Sequence, residues 1–275
     1  MQQTIANHIS YTGIGLHSGQ PVTIELHPAP EDTGIVFCRT DLSNAPCVAA
    51  GAAQVTDTMR ATTLEDGTAK VFTVEHLLAA LRVFGIDNCR VDISSPEPPV
   101  ADGSAIVFWQ LLERAGSREQ KKRRLVRRVA KEYIVRDADK FIAILPYDGL
   151  RISFTSVNPH PFLGVQYFDC IITPESFVAE IAQARTIGFL HEIEALQAQG
   201  LALGGSLENA VVYDQNGSVN EPRFTDELVR HKVLDVIGDL ALAGIVRGHV
   251  IAVKSSHALN TALAKQLLDI EQEEE

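Results

Sequence analysis

Apolar and polar positions alternate over residues 21–29 (PVTIELHPA) and stop at prolines, which predicts a half-buried strand. Residues 34–42 (GIVFCRTDL) read the same way. The period then changes. TVEHLLAALRVFG, 73–85, predicts a helix with Thr73 as its N-cap and Gly85 as its stop. Residues 88–100 return to strand and break at a proline cluster, and 103–116 (GSAIVFWQLLERAG) form a second helix ending at Gly116. After the basic run SREQKKRRLVRR the order starts again. Strands at 132–137, 140–148 and 150–158 lead to helical stretches at 174–184 and 187–200. A histidine-bearing helix, the strand GHVIAVKSS and a final helix from Asn260 follow. Each half therefore has strands, a helix with a histidine, then a strand. This repeat of order predicts two similar α+β domains, 1–120 and 121–275, with a site between them.

The histidine-bearing helix, VRHKVLDVIGDL, combines two patterns. At about 100° per residue, His231, Asp235 and Asp239 fall on one stripe, with Lys232 beside it. Val229, Val233, Val236, Ile237 and Leu240 occupy the opposite arc. Thr225 suits the cap, Asp226 and Glu227 suit the positive end of the dipole, and Gly244 suits the end. Two readings follow from this segment alone. The stripe is the solvated side of an amphipathic helix, or His231 and Asp235 are a two-ligand metal clamp lacking a third ligand. Among the other histidines, His8, His27, His191 and His249 read as structural or surface positions. His76 differs because Glu75 precedes it in what should be a first helical turn, where the dipole keeps a carboxylate ionised.

Composition narrows the classes. The 275 residues are 45% hydrophobic and 21% charged, a normal globular balance, and the formal net charge is −11. An acidic chain is unsuited to broad nucleic-acid binding, so the basic run reads as a solvated interdomain linker. The four cysteines, Cys38, Cys47, Cys89 and Cys170, form no C-x-x-C pair and fit a reducing compartment. No signal-peptide pattern and no membrane-length apolar run occurs. The expectation is a cytoplasmic, monomeric protein with no stable membrane insertion.

Seven stretches, GIGLHSG, TVEHLLAAL, DGSA, ARTIGF, GLALGGS, VRHKVLDVIGDL and KSSHALN, occur in the order found in the UDP-3-O-acyl-N-acetylglucosamine deacetylases of lipid A biosynthesis in Gram-negative bacteria. The chain resembles that family over about residues 5–268. The resemblance implies two α+β domains, each with a β-sheet, with helices sandwiched between the sheets. It implies Zn²⁺ held by His76, His231 and Asp235, and Glu75 as general base. It makes His257 the acid that protonates the leaving amine, Asp239 its orienting partner, and Thr186 a donor to the oxyanion. Lys232 would lie near the polar head of a UDP-linked acylated amino sugar. Lys254 and His160 are candidates for the uridine diphosphate end, His17 for a further substrate contact, and Ile187 and Phe189 for the acyl-chain passage. Ile187 stands where many members carry an aromatic residue, and Ser256 where a glycine is common. The residue types suit amide hydrolysis: a Lewis acid for water and carbonyl, a fixed oxyanion donor, and a proton for a poor leaving group.

Overall fold

A computed structural model describes residues 1–275. The N-terminal half builds a five-stranded sheet in the order Ile9–Ile14, Pro21–Pro28, Cys89–Ile93, Ile35–Arg39, Cys47–Ala49. Its alternation is what the sequence predicts: Val22, Ile24 and Leu26 face the core, with Thr23, Glu25 and His27 on the other face. The C-terminal half builds a seven-stranded sheet around Ile245–Val253, which pairs with Lys140–Leu145, Leu150–Val157 and Leu125–Arg128. Helices α1 (Glu75–Phe84) and α2 (Ile106–Ala115) come from the first half. The second half supplies α3 (Pro174–Ser176), α4 (Leu190–Ala198), α5 (Glu227–Ala241) and α6 (His257–Leu267). Helix α1 packs on α2 and on α5, α5 packs on the strands Leu150–Val157 and Val165–Ile171, and α6 packs on α5. The chain is thus α+β in both halves. One apolar core of 50 buried residues runs through both, so the helices of the two halves share one interior.

Local differences from the sequence pattern have identifiable causes. Thr73 does not cap α1. Its φ is 58°, in the left-handed region, and its hydroxyl donates to Glu97 Oε1 at 2.9 Å, so the helix starts after Val74. Helix α5 begins after Asp226 rather than Thr225, and Asp226 pairs with Arg230 instead of capping. Residues Ile187–Phe189 are a strand, not helix, because they pair in parallel with Val211–Tyr213. The stretch expected as helix over 174–184 closes after α3 into a π-helical turn, Phe177–Ile181. The final helix starts at His257, three residues before Asn260. Cys38 and Cys47, read as scattered thiols, are cross-strand partners joined by a disulfide, while Cys89 and Cys170 are free.

The basic run is exposed along most of its length, as expected of a solvated connection, but part of it is ordered into strands. Ser117–Glu119 pairs with Gln3–Ile5, and Leu125–Arg128 is a strand of the second sheet flanked by Glu273–Glu274. Several of its charges are answered within the chain: Lys122 by Asp32, Arg124 by Asp87, Arg128 by Asp148, Glu273 and Glu275. No helix is long and apolar enough to cross a membrane.

Candidate metal centre

Helices α1 and α5 cross at the centre of the molecule, and their polar residues meet there. The polar arc of α5 does not face water: His231, Asp235 and Asp239 are 4%, 2% and 0% exposed, and the apolar arc is buried as well. His76, from the first turn of α1, is brought to the same point. Its Nε2 lies 3.7 Å from Asp235 Oδ1, and His231 Nε2 lies 3.4 Å from that same oxygen. The two imidazoles sit edge to face, with centroids 5.0 Å apart. The close approach depends on a glycine that the motif reading passed over. A Cβ on Gly238 would lie 2.0 Å from the carbonyl oxygen of Glu75.

The donor set fits a metal ion. Asp235 Oδ1 is buried and has no hydrogen-bond partner, a cost that a cation would remove. His231 Nδ1 faces the Ala184 carbonyl at 3.0 Å and donates to it, so Nε2 is unprotonated and turned toward Asp235. Burial pushes the His231 imidazole down to about 4, against the raising effect of Asp235, which keeps it neutral as a ligand must be. Burial acts to raise the Asp235 carboxyl, but Lys232, His231 and His257 outweigh it and hold it well below the usual range. Lys232 Nζ donates to Asp235 Oδ2 at 2.9 Å, leaving Oδ1 as the open atom.

Acid–base groups flank this cluster. Glu75 is 3% exposed, and burial raises its carboxyl above the ordinary value despite His257 and His76. Its Oε2 accepts from the Thr62 amide at 3.2 Å. His257, the first residue of α6, donates from Nδ1 to Asp239 Oδ2 at 2.9 Å. Burial lowers this imidazole, but Asp239 and Asp235 outweigh burial and raise it to about 10. A cation shared with Asp235 would offset part of that rise. Asp239 is itself fixed by Thr62 Oγ1 at 2.5 Å and by Asn260 Nδ2 at 2.9 Å. Thr62, Asn260 and Gly238 were not singled out from the sequence. Asn260 follows His257 by three residues, a helical neighbour, and Gly238 is a glycine inside a helix, a sign of close backbone approach. Thr62 lies in a loop and carries no such sign.

The remaining candidates are distributed around this centre. His17 is buried, its amide donates to the Glu97 carboxylate at 3.0 Å, and its Nε2 has no partner. Burial lowers its pKa, with Glu97 acting against it. Thr186 lies two residues beyond Ala184, its amide held by Gly103 O at 3.0 Å. Ile187 and Phe189 pack against a satellite core of Leu163, Val211, Tyr213 and Leu228, separate from the main one. His160 donates to the Asp214 carbonyl at 2.8 Å and borders Phe189 and Tyr213, lining a groove with His191. Lys254 is not gathered with Lys232 and His257: it pairs with Asp139 at the surface, from a left-handed backbone with φ 55°. The cleft of about 490 Å³ beside Arg82, Arg124 and Ile237 contains none of the predicted site residues.

Glu227, read as a first-turn dipole partner, is fully enclosed and holds the ligand helix to the segment before Thr186. It accepts from the Arg185 amide and Nε, both at 2.9 Å, and from the Arg223 amide at 2.6 Å. Because Ala184 supplies the carbonyl for His231, this clamp positions His231 indirectly. Truncation to Ala strands the buried Arg185, so Glu227→Ala is expected to cost about 3–5 kcal/mol. Urea denaturation reads that loss, and an unchanged midpoint would contradict it.

Two imidazoles facing an unpartnered carboxylate oxygen, with a separate buried carboxylate and a His–Asp pair beside them, have the donor types of a metal-dependent hydrolase and lie between the two α+β halves. The chain belongs to the UDP-3-O-acyl N-acetylglycosamine deacetylase (LpxC) family, whose model matches residues 2–269. Similar proteins include the UDP-3-O-acyl-N-acetylglucosamine deacetylases of Anaeromyxobacter sp. (strain Fw109-5) and Geobacter sp. (strain M21). Each is 48% identical over 270 residues, covering 97% of this chain and 88% of the relative. The deacetylase of Histophilus somni (strain 129Pt) is 46% identical over 275 residues, covering 98% and 90%.

Proposed function

We infer that this protein removes the N-acetyl group from UDP-3-O-(3-hydroxyacyl)-N-acetylglucosamine, releasing acetate, the committed step of lipid A biosynthesis. Family membership carries the reaction, and the unpartnered Asp235 Oδ1 between His76 and His231 carries the metal dependence. The ion we assign is Zn²⁺, which suits two neutral imidazoles and one carboxylate. When bound, it supplies Lewis acidity toward water and toward the amide carbonyl.

The chain's own groups account for the proton transfers. Glu75 Oε2 is held by the Thr62 amide, which leaves Oε1 to take a proton from the attacking water. Burial makes that carboxylate a stronger base than an exposed one. His257 is oriented through Nδ1 by Asp239, so Nε2 is the atom that delivers a proton to the departing amine. Thr186 is assigned to donate its hydroxyl to the oxyanion. Lys232 is assigned to the substrate's polar head, and its bond to Asp235 keeps it charged: burial lowers its pKa, and Asp235 overcomes this. Ile187 and Phe189, half-buried beside the satellite core, are assigned to the acyl chain, with His160 and His17 as further contacts. Lys254 reaches the diphosphate only by leaving Asp139. The reading is of a cytoplasmic monomer divided near residue 120.

Asp235→Ala is the direct test. It is expected to lose bound zinc and deacetylation together, matching wild type stripped by a chelator. Metal content measured beside turnover checks this. Stoichiometric zinc with full activity in the variant would remove Asp235 from the ligand set.

A further inference from the structure

The outer face of the first sheet carries a second cluster of nitrogen and oxygen donors. Glu25 and His27 alternate with the buried Ile24 and Leu26 on Pro21–Pro28, so both project away from the core. His8 stands opposite His27, one step beyond the Ile9–Leu26 pair. Asp92 stands opposite Glu25 on Cys89–Ile93. Pairing of the hairpin Ile9–Ile14 and Pro21–Pro28 with the distant strand Cys89–Ile93 thus assembles four donors on one face.

His8 Nε2 lies 3.3 Å from Glu25 Oε2, and His27 Nε2 lies 3.5 Å from the same oxygen. His27 Nε2 is also 3.4 Å from Asp92 Oδ2. The two imidazoles stack with centroids 4.6 Å apart and planes inclined by 25°. His27 Nε2 is shielded from solvent and makes no hydrogen bond. Arg90 Nε takes Asp92 Oδ1 at 2.6 Å and turns Oδ2 toward His27.

We propose that His8, Glu25 and His27, completed by Asp92 or water, bind a divalent transition-metal ion of the Zn²⁺ type, separate from the centre between α1 and α5. The spacings carry the argument. A charge-assisted hydrogen bond between imidazole and carboxylate closes to about 2.7–2.9 Å. Ligand atoms around tetrahedral zinc, with bonds of about 2.0–2.1 Å, sit about 3.3–3.4 Å from one another. The three observed separations are longer than such a hydrogen bond and fit co-ligand spacing; His8 and Glu25 are within reach of a long hydrogen bond, while His27 Nε2 makes none. One carboxylate oxygen facing two imidazole nitrogens is an arrangement a single cation satisfies. Imidazole donors select zinc and its neighbours over Mg²⁺ and Ca²⁺, which prefer all-oxygen sites. His8 and Glu25 are 49% and 47% exposed in their side chains, so ion and water ligands have direct access. A bound ion would clip three strands of the sheet and stabilise the folded chain by mass action.

The test uses full-length protein already carrying its catalytic zinc, titrated with Zn²⁺ alone. Metal content at defined micromolar free Zn²⁺ and the thermal midpoint are followed together. Wild type is expected to take up a second equivalent and to gain a few degrees. The His8→Ala/His27→Ala double variant should keep its first zinc, its deacetylase activity and its basal midpoint while losing both responses. Glu25→Gln, which keeps both imidazoles, should lose them too. No second equivalent in wild type would overturn the proposal. So would a second equivalent retained by the double variant, because the ion would then lie elsewhere.

Discussion

Glu75→Gln lowers turnover by about 10²–10⁴-fold while zinc content stays at the wild-type level. The substitution keeps side-chain volume and an oxygen for the Thr62 amide, so the start of α1 has no reason to move. It deletes only the group that takes the proton. Burial disfavours the ionised carboxyl, so the neutral amide should not reduce stability and is expected to leave the thermal midpoint equal or higher. The check is steady-state deacetylation with metal analysis and a melting curve on the same preparation. Near wild-type turnover with full zinc would show that another group is the base. Loss of activity accompanied by loss of zinc would show that Glu75 acts on the ion's site rather than on water.

Gly238→Ala has the second large effect, and its sign is diagnostic. At an ordinary interior helix position, Gly to Ala stabilises by up to about 1 kcal/mol. Here the added Cβ meets Glu75 backbone atoms, with the carbonyl oxygen at 2.0 Å, the carbonyl carbon at 2.6 Å and Cα at 2.8 Å. None of these is the flexible end of a side chain. Helix α1 must therefore retreat from α5, at a typical overpacking cost of about 1–3 kcal/mol. That movement carries Glu75 and His76 away from His231 and Asp235. Misplacement by about 1 Å can cost about 10²-fold in rate, and zinc affinity should fall with it. Thermal denaturation, zinc competition and turnover are the readouts. A variant that is more stable and fully active would mean that the helices do not need this contact.

How much of this was legible in the sequence depends on the range of each interaction. The strand Pro21–Pro28 and helix α1 were readable because a period of two or of 3.6 is local, and Gly85 ends α1 in the left-handed conformation as expected. The stripe of His231, Asp235 and Asp239 was readable as a stripe. Whether it was wet or buried was not, because that is decided by α1, about 150 residues earlier in the chain. The same limit hid Glu227, whose partner Arg185 lies 42 positions away, and Thr62, which is 177 positions from Asp239. Ile187–Phe189 looked helical because pairing with Val211–Tyr213 overrides its local pattern. His8 and His27 were individually unremarkable residues that only strand register places side by side.

The contact of α1 with α5 also bears on symmetry. Two α+β halves facing each other through helices could, in outline, be two subunits of a homodimer. A two-fold interface presents every residue twice, so a base on one side would always be mirrored on the other. In this chain Glu75 and His76 come only from the first half, and His231, Asp235 and His257 only from the second. Joining unlike halves in one polypeptide frees the centre from that duplication. The proposed proton acceptor and proton donor can then be residues of different type on opposite flanks, rather than two copies of one residue.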